Sequence, residues 1–298
     1  MVENQNRLAI QGSAKLSVAP NGKEVNKVNL SVIFITKNEE FHIGSAIDNV
    51  KDIAEEIYVV DSGSTDKTVE IAESKGAKVF FHAFEGFGKQ WNWALDNCPV
   101  KTKWTMKMDP DERLTDALKS EIENSITRES EFIGFEFDRI LWFMGKRIPG
   151  WKDRVVRIWR TGHCTFTDII VNEHPLIDGK IGILQSTMDH LDSRDLGHWI
   201  EKQNRYTTAE AIRQFTGGPL AARPRFWGTR LERRMWFKTV FFKLPFRYEM
   251  MFFQLYFGKG LFLVGKTGFH CALLRIWVRR LVEQKLLEMR NTGRLTSS

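Results

Sequence analysis

The sequence predicts an α/β protein with a mostly parallel central sheet flanked by helices, a small antiparallel portion and a helical C-terminal region. From residue 29 to about residue 130, β-branched apolar runs alternate with segments of helical apolar spacing. Between about 130 and 190, apolar and polar residues alternate as in antiparallel strands. From residue 197 onward the pattern is helical and rich in aromatic and basic residues.

Four apolar runs predict buried parallel strands: "NLSVIFIT", "EEIYVVD", "AKVFFH" and "KWTMKMD". The segments between them have the apolar spacing of helices, and the fourth run precedes a helix for which Thr115 is the expected N-cap. In such sheets, ligands bind beyond the carboxyl ends of the strands. Residues 36–39, Asp61 and Asp109 end the first, second and fourth runs, so we expect them to meet along one edge.

Composition and charge indicate which kinds of molecule the protein binds and in which compartment it works. The chain has 298 residues and a formal net charge of +7, which favours an anionic partner such as a phosphorylated substrate, an anionic lipid or a nucleic acid. Its three cysteines are scattered without metal-site spacing, which is typical of a reducing compartment. No run is long enough for a signal peptide or a spanning helix, and residues 1–28 are expected to be a flexible tail.

Three carboxylates crowd the segment "MDPDERL": Asp109, Asp111 and Glu112. Two aspartates at i and i+2 on a turn can face one cation, and oxygen ligands suit Mg²⁺ or Mn²⁺. Such an ion would neutralise a departing diphosphate. The alternative is a solvated turn that opens a helix, where acidic residues favour the helix dipole.

A second acidic position lies in "VVDSGSTDKT", where Asp61 ends a strand. A free carboxylate there could accept a hydrogen bond from a base or a ribose hydroxyl, and Gly63 would let backbone approach a ligand closely. An ordinary capped loop explains the following Ser64, Thr65 and Asp66, but it leaves Asp61 and Gly63 without a reason.

In combination, several motifs resemble the family 2 glycosyltransferases of the GT-A fold, and in particular the bacterial lipopolysaccharide-core β-1,4-glucosyltransferase type. They are "SVIFITKNEE", "IYVVDSGSTDKTVEIAESKGAKV", "GFGKQWNWAL" and "MDPDERLTDALKSEI". The similarity continues through "VNEHPL" and "KQNRYTTAEA" and covers roughly residues 29–290.

The resemblance implies inverting transfer of a sugar from a nucleotide-diphosphate donor, with Mn²⁺ or Mg²⁺ held by Asp109 and Asp111. It places these residues at the nucleotide sugar: Thr36, Lys37, Asn38, Glu39, Asp61, Gly63, Lys89 and Asp109. Two positions depart from the family pattern. Pro110 stands between the two aspartates, and Trp91 occupies a position where many members carry a cation that Lys89 would replace.

Inversion needs a general base on the acceptor hydroxyl. Glu173 in "VNEHPL" matches the family's Val-His-Glu motif and is the expected base, with Asp153 and Asp168 as alternatives. His174 and His190 are expected to be structural or to contact the acceptor rather than to bind metal.

The segment 223–247 carries eight basic residues against the single acid Glu232, with Phe and Trp between them. Such a segment suits an anionic membrane surface, where rings enter the headgroup boundary and cations meet anionic lipid. A helical subdomain with buried aromatics is the alternative. Nucleic-acid binding is disfavoured, because it has no use for a carboxylate-lined sheet edge.

These observations predict a tail (1–28), a GT-A catalytic domain (29–195) and a helical membrane-associating region (196–298). The expected protein is cytoplasmic and peripheral on the inner membrane, where it would act on a lipid-linked or lipopolysaccharide-type glycan acceptor. A nucleotidyltransferase is disfavoured because the loop after the first strand is acidic. A non-catalytic membrane- or partner-binding protein on a transferase scaffold is the third hypothesis.

Overall fold

The computed structural model describes residues 27–167, 174–218, 222–241 and 244–295. The chain forms two compact units. The first unit comprises Met1–Met108, Lys119–Phe135 and Arg157–Gly182, and the second comprises Asp109–Leu118, Glu136–Val156 and Ile183–Ser298. The predicted boundaries at 28 and 195 stay predictions.

The strands are, in chain order, β1 (Val28–Thr36), β2 (Ala54–Asp61), β3 (Lys78–Phe81), β4 (Trp104–Met108), β5 (Glu112–Leu114), β6 (Phe132–Phe143), β7 (Lys146–Arg160), β8 (Cys164–Phe166), β9 (Pro175–Ile177) and β10 (Lys180–His190). The helices are α1 (Ile43–Val50), α2 (Thr68–Ser74), α3 (Phe87–Asn97), α4 (Asp116–Thr127), α5 (Leu196–Phe215), α6 (Arg230–Phe241), α7 (Arg247–Phe253) and α8 (Lys266–Thr292). A π-helical turn (Gln254–Gly258) and a 3₁₀ turn (Leu261–Val264) lie between α7 and α8.

The first unit contains the predicted parallel sheet. Its strands follow the order β3-β2-β1-β4, and the C-terminal end of β7 continues the sheet in antiparallel pairing with β4. β1 is buried along almost its whole length, as expected of a central parallel strand covered on both faces. The residues Tyr58, Trp91, Trp159 and Phe166 are buried in one core cluster beside it.

The second unit combines antiparallel strands with the C-terminal helices. Its strand order is β7-β6-β10-β5, and its core contains Phe143, Ile148 and Trp199 together with Leu255 and Leu261. Burying side chains of this kind contributes about 1.5–3 kcal/mol each. The fold class predicted from the sequence, including the antiparallel portion and the helical C-terminal region, is confirmed.

Three local details add to what the sequence predicts. Glu112 opens the short strand β5, which pairs with β10, and not a helix. Thr115 caps α4 as predicted, because its Oγ1 accepts a hydrogen bond from the Leu118 N–H at 3.3 Å. Met144 and Gly145 both have positive φ (48° and 70°), which joins β6 and β7 by a tight hairpin turn.

Candidate active site

Asp61 is the last residue of β2, and its side chain accepts hydrogen bonds from the loop that follows. The residue is only 4% exposed. The Thr36 hydroxyl donates to Oδ1 at 3.2 Å, and the backbone N–H groups of Gly63 and Ser64 both donate to Oδ2 at 2.8 Å. The Ser64 hydroxyl also donates to Oδ1.

These four donors account for the position of Asp61 within its own loop. An ionised carboxylate offers about four lone-pair sites, and all of them are engaged here. The side chain therefore holds the loop against the end of β1, and Gly63, with φ at +84°, supplies the left-handed turn that makes this possible. Contact between Asp61 and a base or ribose stays a prediction.

The loop after β1 is bonded to the loop after β2. Asn38, which has a positive φ of 55°, donates its N–H to the Ser64 hydroxyl and accepts from the Thr65 N–H, both at 2.8 Å. The Glu39 N–H donates to the Thr68 hydroxyl at 2.7 Å. Lys37 is exposed beside them. Three predicted nucleotide residues, Thr36, Asn38 and Asp61, thus belong to one hydrogen-bonded network, and Glu39 bonds separately to the start of α2 through Thr68.

The strand ends of the first unit share an edge, as expected for parallel strands. Thr36 pairs in register with Asp61, and Phe34 pairs with Met108 at the end of β4. Asp109 is the next residue along the chain.

Helix α3 carries the position that departs from the family pattern. Trp91 is fully buried and stacks on Phe166 with ring centroids 5.6 Å apart. A cation does lie nearby, because the ammonium of the buried Lys107 is 4.5 Å from the Trp91 ring centroid. Lys89 is half exposed and lies 3.1 Å from Glu85. Trp91 is therefore a core residue.

In the second unit, Glu112 organises the turn that carries the two aspartates. Its Oε2 accepts from the Asp109 N–H at 3.0 Å, and the Glu112 N–H donates to the Asp109 carbonyl at 3.0 Å. Its Oε1 accepts from Arg139 at 2.9 Å, while Arg139 also lies 3.9 Å from the Asp109 carboxylate. Glu112 has no exposed side-chain surface, so it stabilises the turn through these contacts and does not face a ligand.

Asp111 lies among cationic groups. Its Oδ2 is 3.2 Å from His190 Nε2 and 3.8 Å from Lys202 Nζ. Burial alone would raise the pKa of Asp111, but the positive groups His190, Lys202 and Arg139 hold this pKa well below its usual range. The carboxylate is therefore ionised at neutral pH. Sequence spacing gave no signal for His190 beside Asp111, because the two residues lie 79 positions apart.

The donor atoms at this turn fit a hard divalent ion that also binds substrate oxygens. Asp109 and Asp111 supply carboxylate oxygens. Within the described residues, no group of three or more His, Cys, Asp or Glu side chains could by itself hold a metal. Mg²⁺ and Mn²⁺ characteristically use one or two carboxylates plus waters and phosphates, and such sites do not require a complete protein cage.

Of the three candidate bases, the structure describes one, Asp153. Glu173 and Asp168 lie outside the described residues. Asp153 is described; its carboxylate is largely exposed and 4.0 Å from Arg139. His174 is exposed.

The basic-aromatic segment leaves several rings in solvent. Trp227 is 92% exposed and Phe246 is 76% exposed, whereas Met235 is buried. Arg247 forms a two-pronged ion pair with Glu283. Among the described helices, none has the length and hydropathy that a membrane-spanning segment would need.

Comparisons with known proteins agree with the motifs. The profile of the family described as "Glycosyl transferase family 2" matches residues 31–163. The lipopolysaccharide core biosynthesis glycosyltransferase LpsC of Rhizobium meliloti is 28% identical over 256 residues, which cover 82% of this chain and 87% of LpsC. An "uncharacterized glycosyltransferase" of Rickettsia prowazekii is 25% identical over 287 residues, 90% of each chain.

Among solved structures, a glucosyl-3-phosphoglycerate synthase of Mycobacterium tuberculosis, in complex with Mn²⁺, uridine diphosphate and phosphoglyceric acid, matches with a TM-score of 0.43 and 15% identity. The match covers 64% of this chain and 80% of that one. Residues 31–163 thus form a family 2 glycosyl transferase domain, and most of the chain is similar to proteins named glycosyltransferases.

Proposed function

We propose that this glycosyltransferase transfers a sugar, with inversion, from a nucleotide-diphosphate donor to a lipid-linked or lipopolysaccharide-type glycan acceptor. A hexose is the expected sugar. The reaction would take place at the cytoplasmic face of the inner membrane, with the protein held there peripherally. The LpsC relative, whose name places it in lipopolysaccharide core biosynthesis, supports this acceptor class.

The proposed donor residues are those of the β1 and β2 loops. Thr36, Lys37, Asn38 and Glu39 would line the nucleotide, with Asp61 and Gly63 shaping the adjoining loop and Lys89 supplying a cation. Hydrogen bonds between the two loops pre-organise this surface before any nucleotide arrives. Pre-organisation lowers the entropy lost on binding.

Asp109 and Asp111 would hold Mn²⁺ or Mg²⁺. When bound, such an ion offsets negative charge on a diphosphate. Glu112 and Arg139 fix the turn, so that the Asp109 backbone is held at both its N–H and its carbonyl. Glu173 would accept the proton of the acceptor hydroxyl, on the side opposite to the departing diphosphate.

The two carboxylates of Asp109 and Asp111, on one turn directly after β4, are the observation on which the proposal depends most. Glu112 and Arg139 hold the backbone of this turn in place. The paired acids also argue against a non-catalytic scaffold.

The test is a donor screen with purified protein. Nucleotide sugars of several kinds are incubated with Mn²⁺, and released nucleoside diphosphate is measured with and without lipopolysaccharide-core acceptor. We expect slow release without acceptor, faster release with it, and loss of acceptor-dependent turnover in Glu173→Gln with donor binding retained. Release of pyrophosphate from nucleoside triphosphates, without diphosphate release from any nucleotide sugar, would favour a nucleotidyltransferase instead.

A further inference from the structure

The second unit contains a surface cavity that is lined by none of the donor, metal or base residues within the described part of the chain. Its volume is about 830 Å³, and it is formed by the β6–β7 hairpin on one side and by residues 257–264 on the other. A volume of this size accommodates a headgroup or a drug-sized ligand, since such pockets typically span about 300–1,000 Å³.

The charged residues lining the cavity are all cationic. Lys146, Arg147 and Lys259 contribute to its wall, and no carboxylate does among the described residues. Arg147 is held in place by Asp189 at 2.8 Å and by the Thr187 hydroxyl at 2.7 Å. These two bonds use only part of a guanidinium's five donors, so the remaining N–H groups can serve an anion.

The floor of the cavity is tightly packed backbone. A Cβ added at Gly150 would lie 1.5 Å from the Lys259 carbonyl oxygen, so only glycine fits where β7 meets the turn that carries Lys259. The ammonium of Lys259 is 6.0 Å from the Trp151 ring centroid. Defined contacts within the fold therefore position both Arg147 and Lys259.

The rim of the cavity is apolar and exposed. Leu263 is 78% exposed, Phe257 is 55% exposed and Phe262 is 45% exposed. Phe257 stacks on Phe253, with ring centroids 6.0 Å apart and planes 13° from parallel. Side chains of this type, next to a cationic pocket, match the two layers of a membrane surface: anionic headgroups and the acyl boundary beneath them.

We propose that this cavity binds the phosphate of a membrane lipid headgroup, with Phe257, Phe262 and Leu263 entering the headgroup boundary. Lys146, Arg147 and Lys259 would contact the phosphate oxygens. This inference deepens the proposed function and rests on it for the membrane-borne acceptor. It assigns membrane contact to residues 146–147 and 257–264, which differ from the basic segment 223–247 noted in the sequence.

The test measures co-sedimentation of the full chain with phosphatidylcholine vesicles that either contain or lack phosphatidylglycerol. The variant Lys146→Gln/Lys259→Gln removes two pocket cations. Its matched control, Lys101→Gln/Lys103→Gln, removes the same charge from exposed lysines of the first unit. We expect the pocket variant to bind anionic vesicles about 10-fold or more weakly, and the control to bind like the wild type.

Two further arms separate the possible sources of binding. Leu263→Ser, at an exposed side chain whose loss should not unfold the protein, is expected to weaken vesicle binding severalfold while leaving the circular dichroism spectrum unchanged. Glycerol 3-phosphate is titrated in a calorimeter as the soluble source of the same phosphate and is expected to bind far more weakly than the vesicles.

Equal losses in the pocket and control variants would overturn the proposal, because binding would then depend on net charge alone. Strong binding of glycerol 3-phosphate without vesicle binding would overturn it too. A loss of vesicle binding confined to the variant Arg223→Gln/Arg225→Gln would also overturn the proposal, because the membrane contact would then lie in the segment 223–247. None of these readouts involves sugar transfer, so the donor screen can fail or succeed independently.

Discussion

The guanidinium of Arg139 lies 2.9 Å from the carboxylate of Glu112, a side chain with no exposed surface, and the same guanidinium is 3.9 Å from Asp109. Glu112 in turn holds the Asp109 backbone. The position of the first proposed metal ligand thus depends on a buried ion pair that contributes no ligand of its own.

Arg139→Met tests this dependence. The substitution leaves the buried Glu112 charge without its partner, and such a loss destabilises proteins by about 3–5 kcal/mol. We expect a fall of this order in the free energy of unfolding, measured in urea. The double variant Arg139→Met/Glu112→Gln should recover part of it, because the uncompensated charge is gone.

The matched control is Lys180→Met, which breaks an ion pair with Glu131 whose two side chains are both about two-thirds exposed. Exposed pairs contribute about 0–1 kcal/mol. If Arg139→Met cost no more than this control, Glu112 would not be a buried charge that needs Arg139.

Asp61→Asn tests the loop network after β2. An amide has a single acceptor oxygen, so it cannot satisfy the Gly63 and Ser64 N–H groups and the two hydroxyl donors together. We expect the variant to lose about 1–3 kcal/mol of stability and to bind nucleoside diphosphate more weakly. Asp96→Asn, at an exposed aspartate of α3, is the control for both measurements. Weaker folding with unchanged nucleotide affinity would leave Asp61 a structural residue and exclude it from the nucleotide pocket.

The buried thiols make a prediction about pH. Burial raises the pKa of Cys98 to about 12 and the pKa of Cys164 to about 12. Thiolate is the reactive form, so we expect both cysteines in the native protein to resist a thiol reagent at pH 8 and to react once urea unfolds the chain.

The raised thiol pKa values also predict how stability changes with pH. The pKa of each buried thiol is higher in the folded state than in the unfolded state. The contribution of the two cysteines to the free energy of unfolding is therefore complete below the unfolded pKa of about 8.5 and is lost as pH rises toward 12. Rapid modification of the native protein at pH 8, or a stability that rises through this window, would contradict the burial of these residues.

The sequence was informative where structure follows from local pattern. The strand that ends at Asp61 and the cap at Thr115 were predicted, and so was the fourth strand, which ends at Met108, one residue before the predicted Asp109. Apolar runs and capping residues act within a few positions. The family motifs added the activity class, which periodicity alone does not contain.

The sequence was uninformative where contacts join distant residues. Strand β5 has only three residues, two of them charged, and it forms because β10 pairs with it. His190 and Lys202 reach Asp111 across about 80 and 90 positions, and Lys107 reaches Trp91 from another element. Such neighbours follow from tertiary packing, which spacing along the chain does not encode.

The most direct test of the account is calorimetric titration of Mn²⁺ into the protein in the presence of uridine diphosphate or guanosine diphosphate, tested in turn. Asp109→Ala and Asp111→Ala are compared with the wild type and with Asp96→Ala, and circular dichroism checks that each variant folds. The account predicts saturable metal binding in the wild type and in Asp96→Ala, and its loss together with sugar transfer in the other two variants. Undiminished metal binding and transfer near the wild-type rate in either Asp109→Ala or Asp111→Ala would contradict it.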